Sequence, residues 1–168
     1  MRGGDGRIGL LLEVLDGAFT AHGWQGQTLT GALRGLAPRD VLWRPAPGRH
    51  TIWEIALHTA YWKHIVRQRI LAAQGKEAGE PFPRAPRNYP RPPARADAAA
   101  WKVDRALVKR THARLVETVR ALPGARLRAR VGRSSWVVEE QIFGIAAHDL
   151  YHTGQIQLVK ALARGRRN

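Results

Sequence analysis

Residues 143–160 read FGIAAHDLYHTGQIQLVK, and the reading of this stretch decides the fold. It holds no proline, and its apolar positions recur every three or four residues, so it predicts a helix. His148 and His152 fall four residues apart on it. At 3.6 residues per turn that interval leaves the two rings roughly 40° apart and about 6 Å along the axis. Gln141, Gly144, Ile145, Gln155 and Val159 share their face, which therefore points toward a core, with Gly144 leaving room one turn before His148. Such a pair can chelate one divalent ion, but the interval also arises by chance, and a lone buried histidine is more often satisfied by a neighbour.

Working outward, Ser134 or Ser135 is the expected cap of this last helix, which runs to about Ala163. Before it, Arg126–Val131 alternates arginine with apolar residues and reads as a short strand or an exposed arm. Pro123 and Gly124 end a preceding helix that Asp97 caps and that reaches about Leu122, with Trp101, Val108, Leu115, Val119 and Leu122 on one stripe. Between Gln74 and Ala96 lie Pro81, Pro83, Pro86, Pro90, Pro92 and Pro93, interleaved with Arg84, Arg87, Arg91 and Arg95. No regular helix survives that spacing, and a connection this long is expected to cross the molecule. Thr51 and Glu54 form a capping box for a helix over about Thr51–Ala73. A first helix is expected from about Ile8 to Leu36, bent at Gly23 and Gly26. Four long helices with one long Pro-rich crossover between the second and third make an all-α four-helix bundle the expected architecture. The 168 residues suit one domain, with residues 1–7 and 164–168 as flexible tails.

On the second helix, His58 lies on the stripe of Ile55, Trp62, Ile65 and Val66, while Lys63, His64 and Arg67 are expected to face out. Three histidines thus converge on one interior. Burying three imidazoles without a common partner costs desolvation several times over, whereas one divalent ion satisfies all three and holds them neutral. The chain has no cysteine, which excludes disulfides, thiolate ligands and a thiol nucleophile of its own. Three nitrogen donors suit Zn²⁺, Ni²⁺ or another late first-row ion and leave a coordination position open.

The segments WRPAPGRHTIWEIALHTAYWK (43–63) and FGIAAHDLYHTGQIQLVK (143–160), joined by a proline-rich connection, resemble the DinB/YfiT-like family over nearly the whole chain. By that resemblance the family's metal-binding histidines fall on His58, His148 and His152. It also implies a helix bundle of unusual order and frequent homodimers. The activities it implies are those of metal-dependent hydrolases or of transferases and isomerases that use a low-molecular-weight thiol. The family name is no evidence that such bundles process DNA.

Around these three histidines, Asp149 stands where the zincin motif places its glutamate base, but it is shorter and points about 100° round the helix from His148, which favours a solvated or supporting carboxylate. Gln155 is the favoured residue to orient a ligand or water. These two are the candidate catalytic residues. Glu54 is explained by its cap. His22 is a possible extra ligand, His50 a rim residue, His64 solvent-facing and His112 without an identified partner; Trp43 and Trp53 are candidates for a pocket mouth.

Lys and Arg number 28 against 13 Asp and Glu, a net charge of +15, and 23 of those cations are arginines spread from Arg2 to Arg167. That spread predicts at most weak, sequence-independent nucleic-acid binding. No apolar run is long enough for a membrane span, and a cytoplasmic protein is expected. The leading expectation is a metal-dependent hydrolase or thiol-dependent transferase acting on a small molecule. The rival is a non-enzymatic, stress-associated metal-binding protein, and a fourth protein ligand on the ion would favour it.

Overall fold

The computed structural model describes residues 6–20, 23–77, 79–84, 87–132 and 135–165. Among them lie six α-helices and no strand: α1 (Gly6–Phe19), α2 (Leu29–Ala32), α3 (Pro38–Leu42), α4 (Ile52–Ala73), α5 (Ala98–Arg120) and α6 (Val138–Gly165). No helix among these residues is long and apolar enough to cross a membrane. Helix α4 packs against α5 and α6, and α1 packs against both α6 and α5.

The expected first helix is divided. It stops at Phe19, turns through a single bridge between Gly23 and Gly26, and resumes as the short α2 under a Thr28 cap. Gly26 sits at φ 101°, and a Cβ on Gly23 would stand 2.7 Å from the Gly17 carbonyl oxygen, so these glycines end the helix rather than bend it. Residues 6–7 and 164–165, expected as tails, are helical.

Helix α4 starts as its capping box requires, with Glu54 N donating to Thr51 Oγ1 and Thr51 N donating to Glu54 Oε2. Asp97 caps α5 by accepting from the amides of Ala99 and Ala100. The start of α6 differs from expectation. Ser134 lies outside the described residues, Ser135 precedes the helix by a bend, and the first turn is held by the segment before it. Val138 N donates to the Ala129 carbonyl and Glu139 N to that of Leu127, both at 3.0 Å. That segment begins with a 3-10 turn (Gly124–Arg126), then buries Leu127 and Val131 while Arg128 and Arg130 stay exposed. It is neither a strand nor an exposed arm: it makes a single bridge, Arg130 to Val137, and turn and capping hydrogen bonds take up other backbone groups.

Two apolar clusters form the core, one containing Phe19, Trp53, Leu57, Ala60, Trp101, Val108 and Ile156, the other Leu15, Val66, Ile70, Leu115, Ile142 and Ala146. On each long helix the break between clusters is filled by polar groups: Asp16 on α1, Lys63 on α4, His112 on α5, and Asp149, His152 and Thr153 on α6. Contrary to expectation Lys63 is fully buried; its ammonium pairs with Asp149 and lies 4.9 Å from the Phe19 ring centroid. His112, stacked on the Phe19 ring at 3.7 Å, reaches Asp16 Oδ1 at 3.2 Å. A lysine can be buried here because a facing helix supplies the counter-charge.

No helix forms between Ala73 and Ala98 among the described residues, as the prolines require. The segment is nonetheless tied down. Arg84 pairs with the buried Asp104 on α5, which also accepts from Trp53 Nε1 at 2.8 Å. Gln68 on α4 bonds the backbone of Gly79 and Glu80. Trp53 is therefore a core residue and not part of a pocket mouth, and Trp43 packs half-buried against the first cluster.

Candidate metal centre

The pinned segment carries Asn88 and Tyr89 over the histidine cluster. His58 Nδ1 lies 2.5 Å from the Asn88 carbonyl oxygen, and Trp62 Nε1 donates to Asn88 Oδ1 at 2.7 Å. The Tyr89 ring stacks on His58 at 4.0 Å and on His50 at 3.5 Å. Sequence reading missed both residues. Their signal was faint: an amide and an aromatic set among prolines and arginines.

Helix α4 presents His58, and one turn of α6 presents His148 and His152. His148 Nε2 lies 3.0 Å from His58 Nε2 and 3.0 Å from His152 Nε2. Two nitrogens bound to one tetrahedral zinc would stand about 3.3 Å apart, given Zn–N bonds of about 2.0–2.1 Å. All three ligand atoms lie within 4.8 Å of one another.

Tautomers sharpen this geometry. A carbonyl oxygen can only accept, so His58 Nδ1 is the N–H donor and its Nε2 carries a lone pair. His152 Nδ1 likewise donates to Gln155 Oε1 at 2.7 Å, and Gln155 is itself fixed by donating to the Tyr151 hydroxyl. Between these two lone pairs sits His148 Nε2, which can donate a proton to one of them at most. Protonating the cluster is disfavoured: burial, then neighbouring His152 and His58, depress His148 to about 3, and burial depresses His152 to about 4. His58 is lowered by the same desolvation. Three neutral imidazoles thus aim nitrogens at one point, the donor set a divalent cation fits. His148 Nδ1 is a buried polar atom without a hydrogen-bond partner among the described residues.

The other expected site residues are placed as follows. Gln155 holds His152, as stated. Asp149 is fully buried and is not a solvated carboxylate; Lys63 takes its Oδ1, and its Oδ2 has no hydrogen-bond partner among the described residues. Burial pushes its carboxyl up and the Lys63 ammonium down, while their attraction opposes both tendencies. Glu54 is spent on its cap and on Arg44, at 2.7 Å. His50 stands at the rim against Tyr89. His64 is half-buried beside Phe82 and Gln68 rather than facing solvent. His22 lies outside the described residues. Among the described residues, no further histidine or carboxylate joins the cluster.

A model of the DinB superfamily matches residues 22–156. No curated protein and no solved structure gives a match. The matched region takes in most of the chain, with all three clustered histidines and the segment that closes over them, and the protein belongs to the DinB superfamily.

Proposed function

We propose that the protein is a metal-dependent enzyme acting on a small molecule, with His58, His148 and His152 as ligands of one Zn²⁺ or Ni²⁺. The observation that carries this reading is the pair of 3.0 Å Nε2 contacts between imidazoles whose opposite nitrogens are already committed to acceptors. An ion held by these three histidines would supply Lewis-acid chemistry, to acidify a water or to activate an incoming thiol for attack on an electrophile. The chain's own residues hold the ligands. Asn88 and Gln155 fix two tautomers, Tyr89 and Trp62 shield His58, and Gln155 and Tyr151 lie beside His152 where a substrate or water would be oriented. Asp149, bound to Lys63, serves by anchoring the helix turn that carries His148 rather than as a base. Hydrolysis and thiol transfer both fit this donor set. A non-enzymatic metal-binding role is the second reading, and it requires a protein side chain in the fourth position.

We read the four long helices as a single-domain four-helix bundle with residues 74–97 as its crossover. The bundle is taken to pair with a second copy through α6, where Phe143, Leu150, Tyr151, Leu158 and Leu162 form an exposed stripe. Nucleic-acid binding would be weak and sequence-independent, because the 23 arginines are spread from Arg2 to Arg167 rather than gathered on one helix.

Elemental analysis of the wild type and His148→Ala tests the metal site. The expected result is about one ion per chain in the wild type and loss of affinity in the variant; unchanged stoichiometric binding would sink the assignment. With Co²⁺ bound, the absorption spectrum should respond to added thiols or small anions, and an inert spectrum would favour the second reading.

A further inference from the structure

A cleft of about 260 Å³ runs beside the metal centre between α4 and α6, lined by Trp62, Val66, Arg69, Trp136, Gly144 and His148 among others. We propose that it binds a small molecule made of a ring and a single carboxylate, the ring against Trp62 and Trp136 and the carboxylate on Arg69. As a binding site it stands on its own lining; as the substrate cleft it rests on the metal-centre reading, through the His148 ring that the two share.

The walls suit a flat apolar body. Trp62 and Trp136 line the cleft, and Val66 and Ile145 are buried beneath. The guanidinium of Arg69 lies 5.6 Å from the Trp62 ring centroid, and its Nη1 donates to Gln141 Oε1 at 3.3 Å. That contact orients the group but uses one of its five donors, and Arg69 has no carboxylate partner among the described residues. An exposed guanidinium over an aromatic face, with no carboxylate bonded to it among the described residues, suits a carboxylate carried on a ring. Glu140 also lines the cleft, but its Oε2 accepts from Val137 N at 2.8 Å, at the start of α6, and its charge disfavours a second anionic group. Gly144 makes the space: a Cβ built there meets nothing within 4 Å, so a larger side chain would extend into the cleft without a clash.

The test uses phenylacetate and its neutral analogue phenylacetamide as probes. Each is titrated into metal-free and metal-loaded full-length protein while the indole N–H signals of Trp62 and Trp136 are followed by NMR. Phenylacetate should shift both signals saturably, with phenylacetamide weaker by roughly ten-fold or more, as loss of a charge-assisted contact predicts. Arg69→Gln should weaken phenylacetate to the level of the amide. Gly144→Leu should abolish binding of both, and since leucine is a better helix former than glycine this variant is expected to fold. Equal affinity for acid and amide, or undiminished binding by Gly144→Leu, overturns the proposal. Metal content, measured on the same samples, reports separately on the metal centre: absent metal with intact probe binding removes that reading and leaves the cleft.

Discussion

The ammonium of Lys63 and the carboxylate of Asp149 meet where neither reaches water, one residue from a histidine of the candidate metal centre. A buried pair of this kind adds little net stability, because desolvation offsets most of the attraction. Removing one partner is different, since it strands the other charge. Lys63→Met and Asp149→Leu should therefore each destabilise the fold by about 3–5 kcal/mol, while the double substitution recovers much of that loss. Urea unfolding of the four proteins measures the cycle. Strictly additive losses would mean that the pair is not coupled. The metal affinity of the double variant then reports whether the ion pair also positions the turn bearing His148.

At the scale of elements, the proline-rich connection is a structural part of the site. It is pinned to α5 by Arg84 on Asp104 and delivers Asn88 and Tyr89 to the histidines a few residues later. Arg84→Ala should loosen this strap without unfolding the helices. Faster limited proteolysis between residues 74 and 97 is expected, together with metal binding weakened about 10-fold or more, the usual scale for losing support behind a histidine ligand. If cleavage accelerates while metal affinity is unchanged, Asn88 does not govern the His58 ring.

Across the whole molecule, two properties follow from how polar and apolar groups are distributed. The outward stripe of α6 should make the protein a dimer, and Leu158→Lys, which places a charge in its middle, should shift the light-scattering mass toward 18.7 kDa. A wild type at that mass throughout a dilution series would end the dimer reading. The polar layer makes the metal-free fold sensitive to acid. Burial, and then the Lys63 charge, depress His112 to about 4, so it stays neutral in the folded chain while the unfolded chain takes up a proton near pH 6.5. The contribution is fully present above pH 6.5 and is lost as the pH falls toward 4, by on the order of 3 kcal/mol. The melting temperature of metal-free wild type should fall more steeply from pH 6.5 to 5 than that of His112→Phe. Parallel profiles would contradict this origin.

The sequence by itself determined α4 and α5 near both ends, because Thr51, Glu54, Asp97 and the prolines act on their own neighbours, whereas the first helix stops at Phe19, well short of the expected Leu36. It also determined that His58, His148 and His152 face one interior, because periodicity places side chains on a face. Local signals failed where the answer depended on distant groups. Lys63 reads as solvent-facing from its own helix, and Asp149, 86 residues away, is what allows its burial. Ser135 looks like a cap, yet the carbonyls of Leu127 and Ala129 do that work. Asn88 and Tyr89 have no periodicity to betray them, and they reach the centre because Arg84 and Gln68 tie their segment across α4 and α5. Tertiary structure decided these points because burial and hydrogen-bond satisfaction are properties of the assembled chain, summed over groups that no window of sequence contains.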